Sequence, residues 1–120
     1  MKWLYVFIGG GLGSICRLAL GGLLASSTSL FPWATLAANA LAAIVIGWLF
    51  ATGVKQENEL VWQLAAVGFC GGLSTFSTFS METIQLMRSG NHAIAWMYVV
   101  MSVAMSLILF YLLSIWFQRS

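Results

Sequence analysis

From Leu18 to Val54 the chain carries no Asp, Glu, Lys or Arg, and the same holds from Leu60 to Met81 and from Ser89 to Gln118. A soluble chain places a charge at roughly every fourth position, yet only 7% of these 120 residues are charged while 61% are hydrophobic. An apolar run of about 20 residues crosses a bilayer as a helix. The charges that remain are Lys2, Arg17, Lys55, Glu57, Glu59, Glu82, Arg88 and Arg119. They leave room for four spans, at about 3–25, 33–53, 60–87 and 93–117. The expected fold is all-α and integral to the membrane, a single four-helix domain over residues 1–120. A net charge of +2, this thinly scattered, offers nothing to nucleic acid.

Within the third span lies a segment that is least apolar where a membrane helix should be most apolar. Gly68–Glu82 reads GFCGGLSTFSTFSME, and five of the seven residues 74–80 are Ser or Thr. The other two are Phe76 and Phe79, with Gly71 and Gly72 just upstream. In hydrocarbon every backbone amide needs an internal partner, so polar, glycine-interrupted backbone survives only against protein or water. Hydroxyls at this spacing also compete for the helix's own hydrogen bonds. A packing seam of small residues is one reading. Hydroxyls and aromatics in one run beside a double glycine favour another, a broken helix whose break lines a site. The span would be ~42 Å long at ~1.5 Å per residue, against a hydrocarbon core of ~30 Å, so a break near 71–78 still allows it to cross.

The other spans carry their own marks. In the first, Gly9 with Gly13 and Gly10 with Ser14 form small-xxx-small pairs that let a second helix approach closely. Arg17 stands in its second half; it either snorkels to the interface or faces water or protein inside the membrane. Ser26–Pro32 is a turn, with proline suited to the helix start that follows. In the second span Thr35, Asn39, Ala43 and Gly47 recur every fourth residue and share a face. Asn39 is either interhelical glue or, with two amide donors, a group able to bind an anion. Lys55–Glu59 and Arg88–His92 are loops, the second turning at Gly90 and Asn91. In the fourth span Tyr98, Ser102 and Ser106 form a ladder of hydroxyls, unless the serines bond their own i−4 carbonyls and Tyr98 anchors at the interface. Cys16 and Cys70 lie inside spans without metal-type spacing and are expected to be small buried residues, not a disulfide. The N-terminal run lacks a persuasive small-residue cleavage site before Arg17, so it is expected to stay as the first helix.

An enzyme is not expected, because the chain has no Asp, a single His in a loop, and no Ser/His/acid set, metal cluster or phosphate loop. What the spans offer instead suits a small anion. Hydroxyl and amide hydrogens can replace its water, and phenyl edges are electropositive. Neutral donors also hold an ion weakly enough to let it leave.

GGGLGSICR, TLAAN and above all GFCGGLSTFSTFSME resemble the small bacterial fluoride channels of the Fluc/CrcB family, over essentially the whole chain. The resemblance implies an antiparallel, dual-topology homodimer in the bacterial cytoplasmic (inner) membrane, with two fluoride pores and a central structural sodium ion. By motif it implies Phe76 and Phe79 as pore phenylalanines and Asn39 as the pore amide. Ser77 and Thr78 would neighbour the ion path, and Tyr98, Ser102 and Ser106 would form a polar track. Arg17 and Glu82 would stand near the pore entrances, and backbone carbonyls of Gly71 and Ser74 would hold sodium. This sequence departs from the family in having AlaLeuAlaAla after Asn39, where a glycine is common, and Ser74 where threonine is frequent. Neither change removes a donor. A small four-helix multidrug-type transporter is the alternative, but it needs a carboxylate in the first helix, and this one has none. A subunit whose glycines only pack against a partner is a third reading. Lys2, Lys55 and Arg119 would share one membrane side and Arg88 the other, with Arg17 nearer Arg88's side. That is a weak positive-inside bias, as insertion in both orientations requires.

Overall fold

The computed structural model describes residues 1–24 and 30–118; Ala25, the turn positions 26–29 and Arg119 lie outside the described residues. Among the described residues, four helical stretches are long and apolar enough to cross a membrane: Lys2–Leu24, Trp33–Ala51, Glu59–Arg88 and His92–Phe117. No β-strand occurs among the described residues. The first stretch is α1 (Lys2–Leu24) and the second α2 (Trp33–Ala51). Gly53 then reverses the chain at φ 73°, a left-handed conformation open mainly to glycine. The short α3 (Val54–Glu57) and α4 (Glu59–Trp62) follow, with the Asn58 side chain capping α4 through Val61 N–H at 3.2 Å. The expected turn at Gly90 is present, also left-handed at φ 84°. The last helix is α7 (His92–Gln118), and His92 at its start is exposed.

The third span is not one regular helix. After α4 it winds as a π-helix over Gln63–Cys70, passes into α5 (Gly71–Leu73), breaks, and resumes as α6 (Phe76–Arg88). The expected break is therefore present, but Gly71 itself is helical (φ −63°, ψ −36°). The break falls at Ser74 (φ −78°, ψ 155°) and Thr75 (φ −151°, ψ 121°). Glycine is used upstream for close approach. A Cβ on Gly9 would collide with the Leu64 carbonyl, and one on Gly13 with that of Phe69. Reciprocally, a Cβ on Gly68 would sit 2.9 Å from Gly9 Cα, and one on Gly72 would strike the Gly10 carbonyl. The backbones of α1 and the third span thus touch directly, the small-residue packing that membrane helices favour. Around Gly71 there is open space.

Buried side chains form two clusters. Ala38, Ala42, Cys70 and Leu73 pack before the break, and Leu36, Leu86, Ala95 and Tyr98 join α2, α6 and α7 beyond it. Asn39 lies between them. Cys70 is buried as expected, but Cys16 is exposed and both thiols are free.

Candidate functional site

A chain that leaves helical geometry inside a membrane must find new partners for its amides and carbonyls, and here side chains supply most of them. In a continuous helix Thr75 N–H would bond the Gly71 carbonyl; it donates instead to Asn39 Oδ1 at 2.9 Å. Likewise Thr78 N–H, which would have reached the Ser74 carbonyl, donates to Thr75 Oγ1 at 3.1 Å. Thr75 is thereby the N-cap of α6, a role for which threonine is well suited. Ser74 gives both its N–H (2.9 Å) and its hydroxyl (2.8 Å) to the Cys70 carbonyl. Arg17 Nε donates to the Gly72 carbonyl at 3.1 Å, so among the described residues the arginine forms no ion pair but ties α1 to α5. The carbonyls of Gly71 and Ser74 are left without their i+4 donors.

Beside the break, a groove of about 310 Å³ opens between α2, the start of α6 and the middle of α7. Asn39, Thr75, Phe76, Phe79, Ser102 and Ser106 supply its polar and aromatic lining. Asn39's oxygen already accepts from Thr75, so its amide NH₂ is the end left to donate, and it has no partner among the described residues. Ser102 is 5% exposed, and its Oγ is buried with no hydrogen-bond partner. It does not bond its i−4 carbonyl. The rings of Phe76 and Phe79 lie 5.8 Å apart at 38°. Phe76 is 80% exposed, with nothing from its own chain closing that side. An arrangement of two phenyl rings, an amide donor and an unpaired buried hydroxyl favours a small, weakly held anion over a cation.

The remaining expected residues fall elsewhere. Tyr98 is fully buried and backs the groove without lining it. Its ring packs on Phe79 at 5.0 Å and edge-on against Phe31 at 5.4 Å. Its hydroxyl donates to Glu82 Oε1 at 3.3 Å, and Thr35 Oγ1 donates to the same oxygen at 2.5 Å. Glu82 is thus held by two hydroxyls from α2 and α7. Ser77 is exposed, its hydroxyl 3.3 Å from Thr75 Oγ1. Thr78 opens with Arg17 and Thr35 onto a second groove of about 480 Å³. Gly71 and Ser74 line a third, of about 380 Å³, which shares Ser106 and Leu107 with the first. The residue missing from the sequence reading is Thr75; its signal was a threonine three positions before the amide it caps, where a helix restarts.

Residues 4–113 match the family described as "CrcB-like protein, Camphor Resistance (CrcB)". The chain is 41% identical over 113 residues to a protein of Pyrococcus abyssi named fluoride-specific ion channel FluC, covering 91% of this chain and 89% of that one. A protein of the same name from Phocaeicola vulgatus is 39% identical over 118 residues, 97% of each chain. Another from Escherichia fergusonii is 42% identical over 117 residues, 92% of each.

Proposed function

Because this chain belongs to the CrcB-like protein family, we propose that it is a fluoride-specific ion channel, through which fluoride leaves the cell passively and its toxicity is relieved. The relatives are named as ion channels, and four apolar spans make this a multi-pass membrane protein. The observation that carries the reading is the groove beside the break, where Ser102 keeps a buried hydroxyl unpaired. An unmet hydroxyl in a dry site costs about 1–3 kcal/mol, a cost that a passing anion removes. The Asn39 NH₂ and the hydroxyls of Ser102 and Ser106 replace water around fluoride, and the edges of Phe76 and Phe79 carry it between donors. All these groups are neutral, so the ion is not trapped. Arg17 and Glu82, with Ser77, Thr78 and Tyr98 close by, act on the approaches.

The groove is open on the Phe76 side, which supports a second, antiparallel copy as the missing wall; the membrane in which the pair would work is the bacterial inner membrane. The carbonyls of Gly71 and Ser74 fit a structural sodium ion: they are oxygen ligands released by the break, with no carboxylate beside them to draw a divalent ion. When bound, sodium would supply the positive charge that these carbonyls lack. Replacing all sodium by a large organic cation, in protein never exposed to sodium, should weaken the dimer or its flux; indifference in both would exclude the site.

The test of function is fluoride efflux from liposomes containing the purified protein, followed with a fluoride electrode. Rapid efflux of fluoride with chloride retained is expected. Vesicles as tight to fluoride as protein-free ones would overturn the assignment.

A further inference from the structure

Three hydrogen bonds meet at Thr75, where the chain leaves one helix and starts the next. Its N–H holds Asn39 Oδ1 at 2.9 Å, its Oγ1 takes Thr78 N–H at 3.1 Å, and the same oxygen lies 3.3 Å from Ser77 Oγ. Its side chain also lines the groove. We propose that Thr75 is the positioning residue of the fluoride path, fixing which end of Asn39 faces the ion and where the two phenylalanine rings stand.

The argument has two parts, and it rests on the channel reading above. An amide side chain can present either a carbonyl oxygen or an NH₂ group to a neighbouring ion. A backbone N–H can be met only by the oxygen, so the bond from Thr75 turns the NH₂ of Asn39 outward as an anion donor. The second part concerns α6. Phe76 is its first residue and Phe79 its fourth, so both rings leave the first turn, the part of a helix most prone to fray. The Thr75 hydroxyl caps that turn through Thr78. Without the cap the first turn is free to unwind, and the ring pair at 5.8 Å loses its fixed spacing. Thr75 needs no contact with the ion to do this.

The variants are Thr75→Val, which keeps the shape and backbone N–H but has no cap, Thr75→Ala, and Thr75→Ser, which restores the hydroxyl. In liposomes, Thr75→Val and Thr75→Ala should lower fluoride flux per reconstituted channel about fivefold, the factor corresponding to a typical N-cap worth of ~1 kcal/mol. Their fluoride-over-chloride preference should fall, while Thr75→Ser stays within about twofold of the parent. Amide hydrogen exchange at Thr78, read in detergent without any transport, should accelerate in Val and Ala and not in Ser. Flux and selectivity per channel equal to the parent in both Val and Ala would overturn the proposal, even if the yield of folded protein fell. Unchanged exchange at Thr78 would overturn it as well. If the parent chain itself moved no fluoride, the channel reading would fail and the proposal with it, whereas exchange at Thr78 would still report the cap.

Discussion

At the level of single residues, the two phenylalanines make unequal contributions to the fold, and this separates ion conduction from packing. Phe76 is 80% exposed, whereas Phe79 packs against buried Tyr98. Isoleucine keeps apolar bulk without an electropositive edge, so Phe76→Ile and Phe79→Ile should each sharply reduce fluoride flux. Phe79→Ile should destabilise more than Phe76→Ile, by about 1 kcal/mol from the further loss of the contact with Tyr98; flux per folded channel and thermal unfolding measured together would check both. Ser102 gives the opposite pairing of effects. Its hydroxyl is buried and unpaired, so Ser102→Ala should leave stability unchanged or raise it by ~1 kcal/mol while lowering flux. A variant less stable than its parent, with full flux, would show that the hydroxyl serves the fold.

Among the elements, the glycines of the third span have divided duties that their adjacency hides. Gly72 touches the backbone of α1 at Gly10, whereas a side chain on Gly71 meets nothing in its own chain. Gly72→Val should therefore abolish folded protein, and Gly71→Val should leave the helix seam intact, as detergent gel filtration of the two would reveal. A reading from sequence alone places the severe effect at Gly71, because it takes the double glycine as the break. What was legible was the kind of element: four spans from charge-free runs and a break from hydroxyls beside glycine; Asn39, Phe76, Phe79, Ser102 and Ser106, singled out from the motifs, line one groove. What was not legible depends on contacts distant in sequence. Nothing at Thr75 announces that its amide will meet Asn39, 36 residues away. Tyr98 shares a helical face with Ser102, yet the Glu82 carboxylate and the Phe31 ring draw it inward. Nor does any propensity call for π winding, which arises where α1 presses its glycines against the span.

For the molecule as a whole, the distribution of charge and of exposed rings makes one further demand. Lys2 and Lys55 lie at one end of the helices and Arg88 at the other, by the alternation of four spans, which gives little orientational bias. We expect reporter fusions at the termini to show both orientations in the membrane, and crosslinking in mild detergent to give a dimer. A single orientation, or flux from a crosslink-free monomer, would remove the antiparallel pair. The π-wound segment Gln63–Cys70 also bears on the span's length. A π turn spends an extra residue on each closure of the helix, so a 30-residue span, ~45 Å long if wholly α-helical, carries slack that a bilayer of ~30 Å has no use for. That slack makes the third span tolerant of shortening where its neighbours are not. Deleting Val67, which is exposed, lets the segment relax to α winding with the break still at Ser74–Thr75. Deleting Ile44, also exposed, from α2 would rotate Asn39 away from Thr75. Folded yield should survive the first deletion and collapse with the second; equal loss in both would mean that the extra residue is structural and not spare.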